Sequence, residues 1–485
     1  MSILEGIVIF VVLAVSGGML FGKKDRRLDT VYLGATVLAV LLHGLIDQFR
    51  IQMVLAYVIA IVLAIVLIRR IIKPDSPKRI KSVIVKILLS VVVLAFSGVS
   101  GYLSVLLPVF KMPQPTGSYA IGTVSRHLID DAREETKSSD PSDKRELMVN
   151  VWYPVDKEQA KGKPLEHYPS ELGEAISLVF GFPKQLFSHV TAIPTHVVTG
   201  AEVSAAEEKY PVVLFSPGVR STRFQSLTAI EELVSRGFIV VGMDHPFTSA
   251  KVAFPDGRAI FYVPDPEFET SAEVYENNIK GVAIRVADSR FVLDKLTEWN
   301  SKDPEGLLQG KLDLDRVGIF GHSYGGATTA ETLAQDKRFK AGVSLEGGFW
   351  GDVAHTGLQQ PFMYMMTGET AKSFDPNSTN KDKVFYEEFQ PDLKSVMTKS
   401  TSDTYYMTVD HFMHQSFTEI ALLSPSLFAK EIDPVHNIDI TRSYVTAFFE
   451  QYLKGEPQKL LEGPAPEFLE VKFDKQYTQK RTPAQ

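Results

Sequence analysis

Gly321-His322-Ser323-Tyr324-Gly325 fits the pattern G-x-S-x-G, a spacing that can hold a serine hydroxyl out as a nucleophile. The glycines have a steric reason. A serine raised on a tight strand-to-helix turn draws the residues two positions either side close together, and a β-carbon at either would clash. The flanks suit such a turn. Arg316-Val317-Gly318-Ile319-Phe320 reads as a buried strand, and Thr328 to Ala334 as the helix behind it. The amino terminus of that helix brings its partial positive charge to the oxygen that becomes anionic in acyl transfer.

A serine nucleophile needs a base. The chain has 11 histidines. In hydrolases built around this turn, the acid and then the histidine follow the serine along the chain. After Ser323 only His355, His411, His414 and His436 remain. His411 and His414 follow Thr404 to Val409, the last strand-like run. His414 opens His414-Gln415-Ser416-Phe417, a loop entering a helical segment, and is the preferred base, with His411 second. His245, His322 and His355 read as local hydrogen-bonding residues. A carboxylate must orient the imidazole and stabilise its cation. Glu346, Glu369 and Asp375 each follow a strand-like run, and spacing does not separate them. Two backbone N–H groups must meet the oxyanion. Tyr324, just after the nucleophile, supplies one, and Val219 in Ser216-Pro217-Gly218-Val219 is placed for the other.

These residues have to be carried on a sheet. Pro211 to Phe215, Gly237 to Met243, Arg316 to Phe320, Lys340 to Leu345, Pro361 to Met366 and Thr404 to Val409 are short apolar runs of the kind buried strands show. Leu147 to Tyr153 and His196 to Val203 read as two earlier strands, the first of them opening the domain. Phe224 to Ser235, Val282 to Trp299 and Ile440 to Leu453 have helical spacing. Strands alternating with helices predict a mostly parallel sheet covered on both faces. With the serine turn, that is an α/β-hydrolase fold.

The expected layout is a transmembrane region over 1–110, a Pro/Gly linker over 111–117, and the hydrolase domain over 118–485 with an insertion at about 157–210. Within the insertion, Glu171 to Val190 is partly amphipathic. It reads as a cap over the site, a patch against lipid, or an irregular piece of core.

Charge divides the chain at the same place. Residues 1–110 hold 12 Lys/Arg against 5 Asp/Glu, and the remainder 39 against 53. An acidic hydrolase domain argues against nucleic acid as a partner, since phosphate binding needs clustered cations. The absence of cysteine excludes thiol nucleophiles, disulfides and Cys-ligated metals. No cofactor and no metal are expected.

Ile7 to Phe21, Val31 to Ile46, Met53 to Ile68 and Val83 to Phe110 are four apolar runs. The last is long enough to cross a bilayer alone, and the others reach that length with their flanks. Lys23, Lys24, Arg26 and Arg27 lie between the first two runs, and Arg69, Arg70, Lys73, Lys78, Arg79 and Lys81 between the last two. Arg50 alone lies between the middle pair. Basic loops stay cytoplasmic. The expectation is a multi-pass protein of the cell membrane with its amino terminus and hydrolase domain on the extracytoplasmic side.

Gly321 to Thr328 with Gln335-Asp336-Lys337-Arg338-Phe339 resembles the nucleophile region of the plasma-type platelet-activating-factor acetylhydrolases, the group VII phospholipases A2. Phe215-Ser216-Pro217-Gly218 resembles their oxyanion loop, though with Pro217 where the family often has His. Val409-Asp410-His411 through Phe417 resembles the segment bearing their base, which matches at His414. The likeness runs from about Gly117 to the end and omits the apolar runs. It implies that the acid is Glu346, in Ser344-Leu345-Glu346-Gly347-Gly348, where the family's usual residue is Asp. It also implies calcium-independent hydrolysis of short or oxidised acyl chains from phospholipids, through a triad of Ser323, His414 and Glu346 with the amides of Val219 and Tyr324. The expected partners are an ester or phospholipid substrate and membrane lipid. Two other functions fit the same residues: a membrane sensor or scaffold with an inactive hydrolase fold, and an acyltransferase using the same triad.

Overall fold

Parallel strands buried on both faces must be apolar on both, and that requirement shapes the centre of this molecule. The computed structural model describes residues 1–73, 82–374, 377 and 383–481. Its strands are β1 (Ala120–Glu134), β2 (Lys144–Val155), β3 (Leu165–His167), β4 (Pro194–Val198), β5 (Tyr210–Ser216), β6 (Ile239–Met243), β7 (Lys251–Ala253), β8 (Ala259–Phe261), β9 (Leu312–His322), β10 (Phe339–Leu345), β11 (Phe362–Thr367), β12 (Thr404–Val409) and β13 (Val471–Phe473). Eleven of them form one sheet in the order β13-β12-β11-β10-β9-β5-β6-β2-β1-β4-β3, and β7 and β8 pair as a separate ribbon. From β6 across to β12 every pairing is parallel. β2 runs antiparallel to β6, and β1 antiparallel to β2.

Alternation along β5 and β9 sends side chains to two cores. Val212, Leu214 and Ile319 join Val292, Leu296 and Leu333 on one face. Phe215 and Phe320 turn to the other, where Phe320 meets Phe449 of the helix Pro434–Phe449 at 6.2 Å between ring centroids. The helices Ser271–Ser301 and Tyr324–Gln335 cover the first face, so both faces are sealed from water. This is the expected α/β-hydrolase fold.

Three details depart from the sequence reading. The sheet opens with β1, before the Leu147–Tyr153 run expected to begin it. Its charged residues mask a strand because it pairs antiparallel and leaves one side partly exposed. The strand expected over His196–Val203 ends at Val198. The helix expected from Val282 begins eleven residues earlier, at Ser271, under a capping box formed by Thr270 and Glu273.

The chain separates into two compact units. One comprises Met1–Lys111 with Gly181–Ile193, the other Met112–Phe180 with Pro194–Gln485. The segment around 157–210 is therefore divided. β3 and β4 extend the sheet at its edge, while Gly181–Ile193 packs within the first unit, where Gln52 Nε2 donates to the Leu186 carbonyl at 2.7 Å. The first unit holds four helices long and apolar enough to cross a membrane: α1 (Ile3–Phe21), α2 (Arg26–Ile46), a span Ile51–Ile72 containing α3 (Val54–Ile72), and α4 (Val83–Leu106). Ser97, Ser100 and Ser104 face inward along one side of α4, small enough for close helix approach. Glu5 and Arg50 are buried as a pair at 2.6 Å, each charge answering the other.

Candidate active site

β9 ends at His322, and the chain then turns sharply into the helix Tyr324–Gln335. Ser323 makes that turn with φ +56° and ψ −122°, a conformation that L-residues rarely adopt. Its N–H donates to the Leu345 carbonyl of β10 at 2.8 Å, which fixes it against the neighbouring strand. The glycines meet the steric expectation. A β-carbon on Gly321 would run into the Gly325 carbonyl, and one on Gly325 into the Ser216 carbonyl.

One strand over, β10 ends at Leu345, and Glu346 also takes a positive φ, +56°. Its carboxylate turns toward β12. Oε2 meets His414 Nδ1 at 2.8 Å. Oε1 accepts from the Thr367 N–H at 3.0 Å and the Thr367 hydroxyl at 2.7 Å. Burial pushes the Glu346 carboxyl up. The hydrogen bond and charge of His414 and the Thr367 hydroxyl outweigh it, and the group ends below the ordinary carboxylate range. An ionised carboxylate only accepts, so His414 carries its proton on Nδ1 and leaves Nε2 as a base.

Ser323, His414, Glu346, Val219 and Tyr324 all line one cavity of about 370 Å³. Trp350, Tyr364 and Phe389 give it an aromatic wall. Two of the competing candidates do not line it. His411 pairs with Glu431 at 2.5 Å on the surface and does not line the cavity. Glu369 is exposed on a short helix. Asp375 falls outside the described residues.

The loop Ser216–Arg220 is held from several directions. Ser216 Oγ lies 2.9 Å from His245 Nε2, and His245 Nδ1 lies 2.8 Å from Asp288 Oδ2. Arg145 grips both Asp288 oxygens, at 3.0 and 2.6 Å. Burial alone would push Asp288 up. Arg145 and the His245 bond prevail and hold it far below the carboxylate range. Burial, then the Arg285 charge, push His245 down to about 4, so the ring is neutral and accepts the Ser216 hydroxyl at Nε2. This Ser–His–Asp chain is wholly buried. Arg285 Nη1 donates to the Pro217 carbonyl at 2.6 Å, and the Gly218 N–H donates to Gln225 Oε1 at 2.9 Å. Among the described residues, neither the Val219 nor the Tyr324 N–H donates to a protein acceptor. The sequence predicts local hydrogen bonding for His245 and His322. Their rings bond across the fold, His245 to Ser216 and Asp288 and His322 to Gln225 and the His414 carbonyl, while the His245 backbone also bonds locally, its N–H to Ser249 Oγ at 2.9 Å. Gln225, Arg285 and Asp288 carry no local sequence signal, because their partners His322, Pro217 and Arg145 lie 97, 68 and 143 residues away.

The fold has solved counterparts. A ferulic acid esterase from Streptomyces cinnamoneus superposes with a TM-score of 0.60 and 27% identity, over 76% of this chain and 100% of that one. The class is therefore a carboxylic ester hydrolase of α/β-hydrolase fold. Within it, residues 106–277 and 292–459 match the model of the family described as platelet-activating factor acetylhydrolase, isoform II, and the chain belongs to that family. A "Probable 1-alkyl-2-acetylglycerophosphocholine esterase" of Arthroderma benhamiae is 24% identical over 75% of this chain and 94% of its own length. A "Platelet-activating factor acetylhydrolase" of Gallus gallus is 22% identical, over 71% and 84%.

Proposed function

We propose that this ester hydrolase works through a triad of Ser323, His414 and Glu346, anchored in a membrane by its four apolar helices. The observation that carries the reading is the 2.8 Å pair of His414 Nδ1 and Glu346 Oε2 in the cavity wall that Ser323 shares. Ser323 Oγ attacks the acyl carbonyl carbon while His414 Nε2 takes its proton, and Glu346 steadies the resulting imidazolium. The charge that forms on the carbonyl oxygen meets the Val219 and Tyr324 amides. The tetrahedral adduct collapses to acyl-Ser323 as His414 returns the proton to the departing alkoxide. A water molecule, deprotonated by the same histidine, then releases the acid.

The proposed substrates are phospholipid-type esters with a short acyl chain. The names of the two acetyl-ester relatives support this class, as does the aromatic cavity wall. The basic residues between α1 and α2 and between α3 and α4 support an extracytoplasmic hydrolase domain.

The test uses the full chain in detergent or membranes. Wild type should label with a fluorophosphonate and hydrolyse p-nitrophenyl acetate and a 2-acetyl glycerophosphocholine. Ser323→Ala should do neither. Turnover that survives in Ser323→Ala would refute the triad, and a folded wild type that never labels would favour the inactive-scaffold function. Ester products formed with an added alcohol would assign an acyltransferase instead.

A further inference from the structure

Gln225 stands between two parts of the site that lie far apart in sequence. Its Oε1 accepts from the Gly218 N–H at 2.9 Å. Its Nε2 lies 3.1 Å from His322 Nδ1. His322 Nε2 lies 2.8 Å from the His414 carbonyl oxygen, and the two imidazole centroids are 4.6 Å apart.

The polarity of each link is forced by its neighbours. The Gly218 N–H can only donate, so the amide oxygen of Gln225 faces it and the amide NH2 faces His322. The His414 carbonyl can only accept, so His322 carries its proton on Nε2 and offers its Nδ1 lone pair to Gln225. A single directed chain runs from Gly218 through Gln225 and His322 to the backbone of His414. It requires a neutral His322. Burial, then the His414 charge, push that ring down to about 3, which keeps it neutral at any pH where an esterase is assayed.

The two ends of the chain matter. Gly218 directly precedes Val219, and His414 is the base of the proposed triad. Gln225 does not line the cavity, so its effect passes through its partners. We propose that Gln225 is a positioning residue: its amide sets the oxyanion donor Val219 against the base His414 by way of His322. The inference rests on the triad reading above.

Full-length wild type, Ser323→Ala, Gln225→Leu, His322→Phe and the Gln225→Leu/His322→Phe double variant are compared for kcat, KM and fluorophosphonate labelling. Gln225→Leu keeps the side-chain bulk and removes both hydrogen bonds. It should lower kcat roughly 10- to 100-fold and leave KM within about twofold, since misplaced transition-state donors do not weaken ground-state binding. Because both residues act in one chain, the double variant should be no slower than the slower single one. A merely structural role would not make the two losses coincide. Wild-type kcat in Gln225→Leu, a rise in KM alone, or losses that multiply would each overturn the proposal. If Gln225→Leu does not melt cooperatively, Gln225→Asn replaces it. Asparagine keeps the amide but is too short to span both partners, so wild-type kcat there overturns the proposal equally. Labelling that persists in Ser323→Ala sinks the triad reading itself. Wild-type behaviour of Gln225→Leu, in an enzyme that Ser323→Ala silences, removes only the role of Gln225.

Discussion

Glu346→Asp isolates the acid of the proposed triad, because it keeps the charge and shortens its arm. Removing one methylene draws the carboxylate back by roughly 1.5 Å, one carbon–carbon bond. The backbone cannot follow. The Glu346 N–H is tied to the Met365 carbonyl at 2.8 Å, and its φ of +56° leaves little room for adjustment. The 2.8 Å contact with His414 would stretch to about 4 Å, beyond a hydrogen bond. The Thr367 N–H and hydroxyl would lose their acceptor or compete for what remains of it. A hydrogen bond to a charged group contributes about 1.5–3 kcal/mol. Its loss in the transition state lowers kcat by roughly 10- to 150-fold, with KM nearly constant. The assay is steady-state hydrolysis of p-nitrophenyl esters of two to eight carbons, with Glu369→Gln and Asp375→Asn in parallel. If Glu346→Asp keeps kcat within twofold, or if either parallel variant costs more, Glu346 is not the acid.

Acid should destabilise the protein in a window set by three buried histidines. Burial pushes His189 and His245 down to about 4 and His322 to about 3, whereas in the unfolded chain each titrates near 6.5. Below pH 6.5 the unfolded state binds the extra protons, so stability falls as pH drops, by about 2 kcal/mol per histidine at pH 5. Asp288 and Glu346, both held low, lose their contribution only at more acid pH, while burial holds the carboxyls of Asp244, Glu331 and Glu419 high and opposes the loss, so the shift of the denaturant midpoint from pH 7 to pH 5 is compared between wild type and His322→Phe. An equal shift in both proteins would sink this account. A periplasm-dependent reporter fused after residue 115 should be active and a cytoplasm-dependent one silent. The reverse pattern would overturn the proposed orientation.

The legible parts of the fold are those where one local rule decides the outcome. β5, β6 and β9–β12 are buried on both sides, so they read as apolar runs in any context. Ser323 is legible because its turn imposes glycine at 321 and 325. β1 is not, since Arg126, His127, Asp130 and Asp131 suit a half-exposed antiparallel strand as well as a loop. The first eleven residues of the helix Ser271–Ser301 lack an apolar stripe, although its capping box was there to be read. The supports of the site are the least legible. Gln225 and His322 lie 97 residues apart, and His245 and Asp288 43 apart, so only the tertiary fold makes them partners. The proposed acid stands between these cases: three carboxylates have equivalent spacing, and the direction taken by the Glu346 side chain is what supports it over Glu369.

Ser323 and Glu346 each occupy the first position past the end of neighbouring parallel strands, whose last paired residues are His322 and Leu345. Each is held by a main-chain hydrogen bond to the next strand, Ser323 to Leu345 and Glu346 to Met365. The proposed nucleophile and acid are thus spaced by the interval between strands and not by any side chain around them. Mutational drift in the covering helices leaves that ruler untouched. What selection must keep is short: the small residues that let the turn close, and the few side chains that aim the groups the ruler has placed.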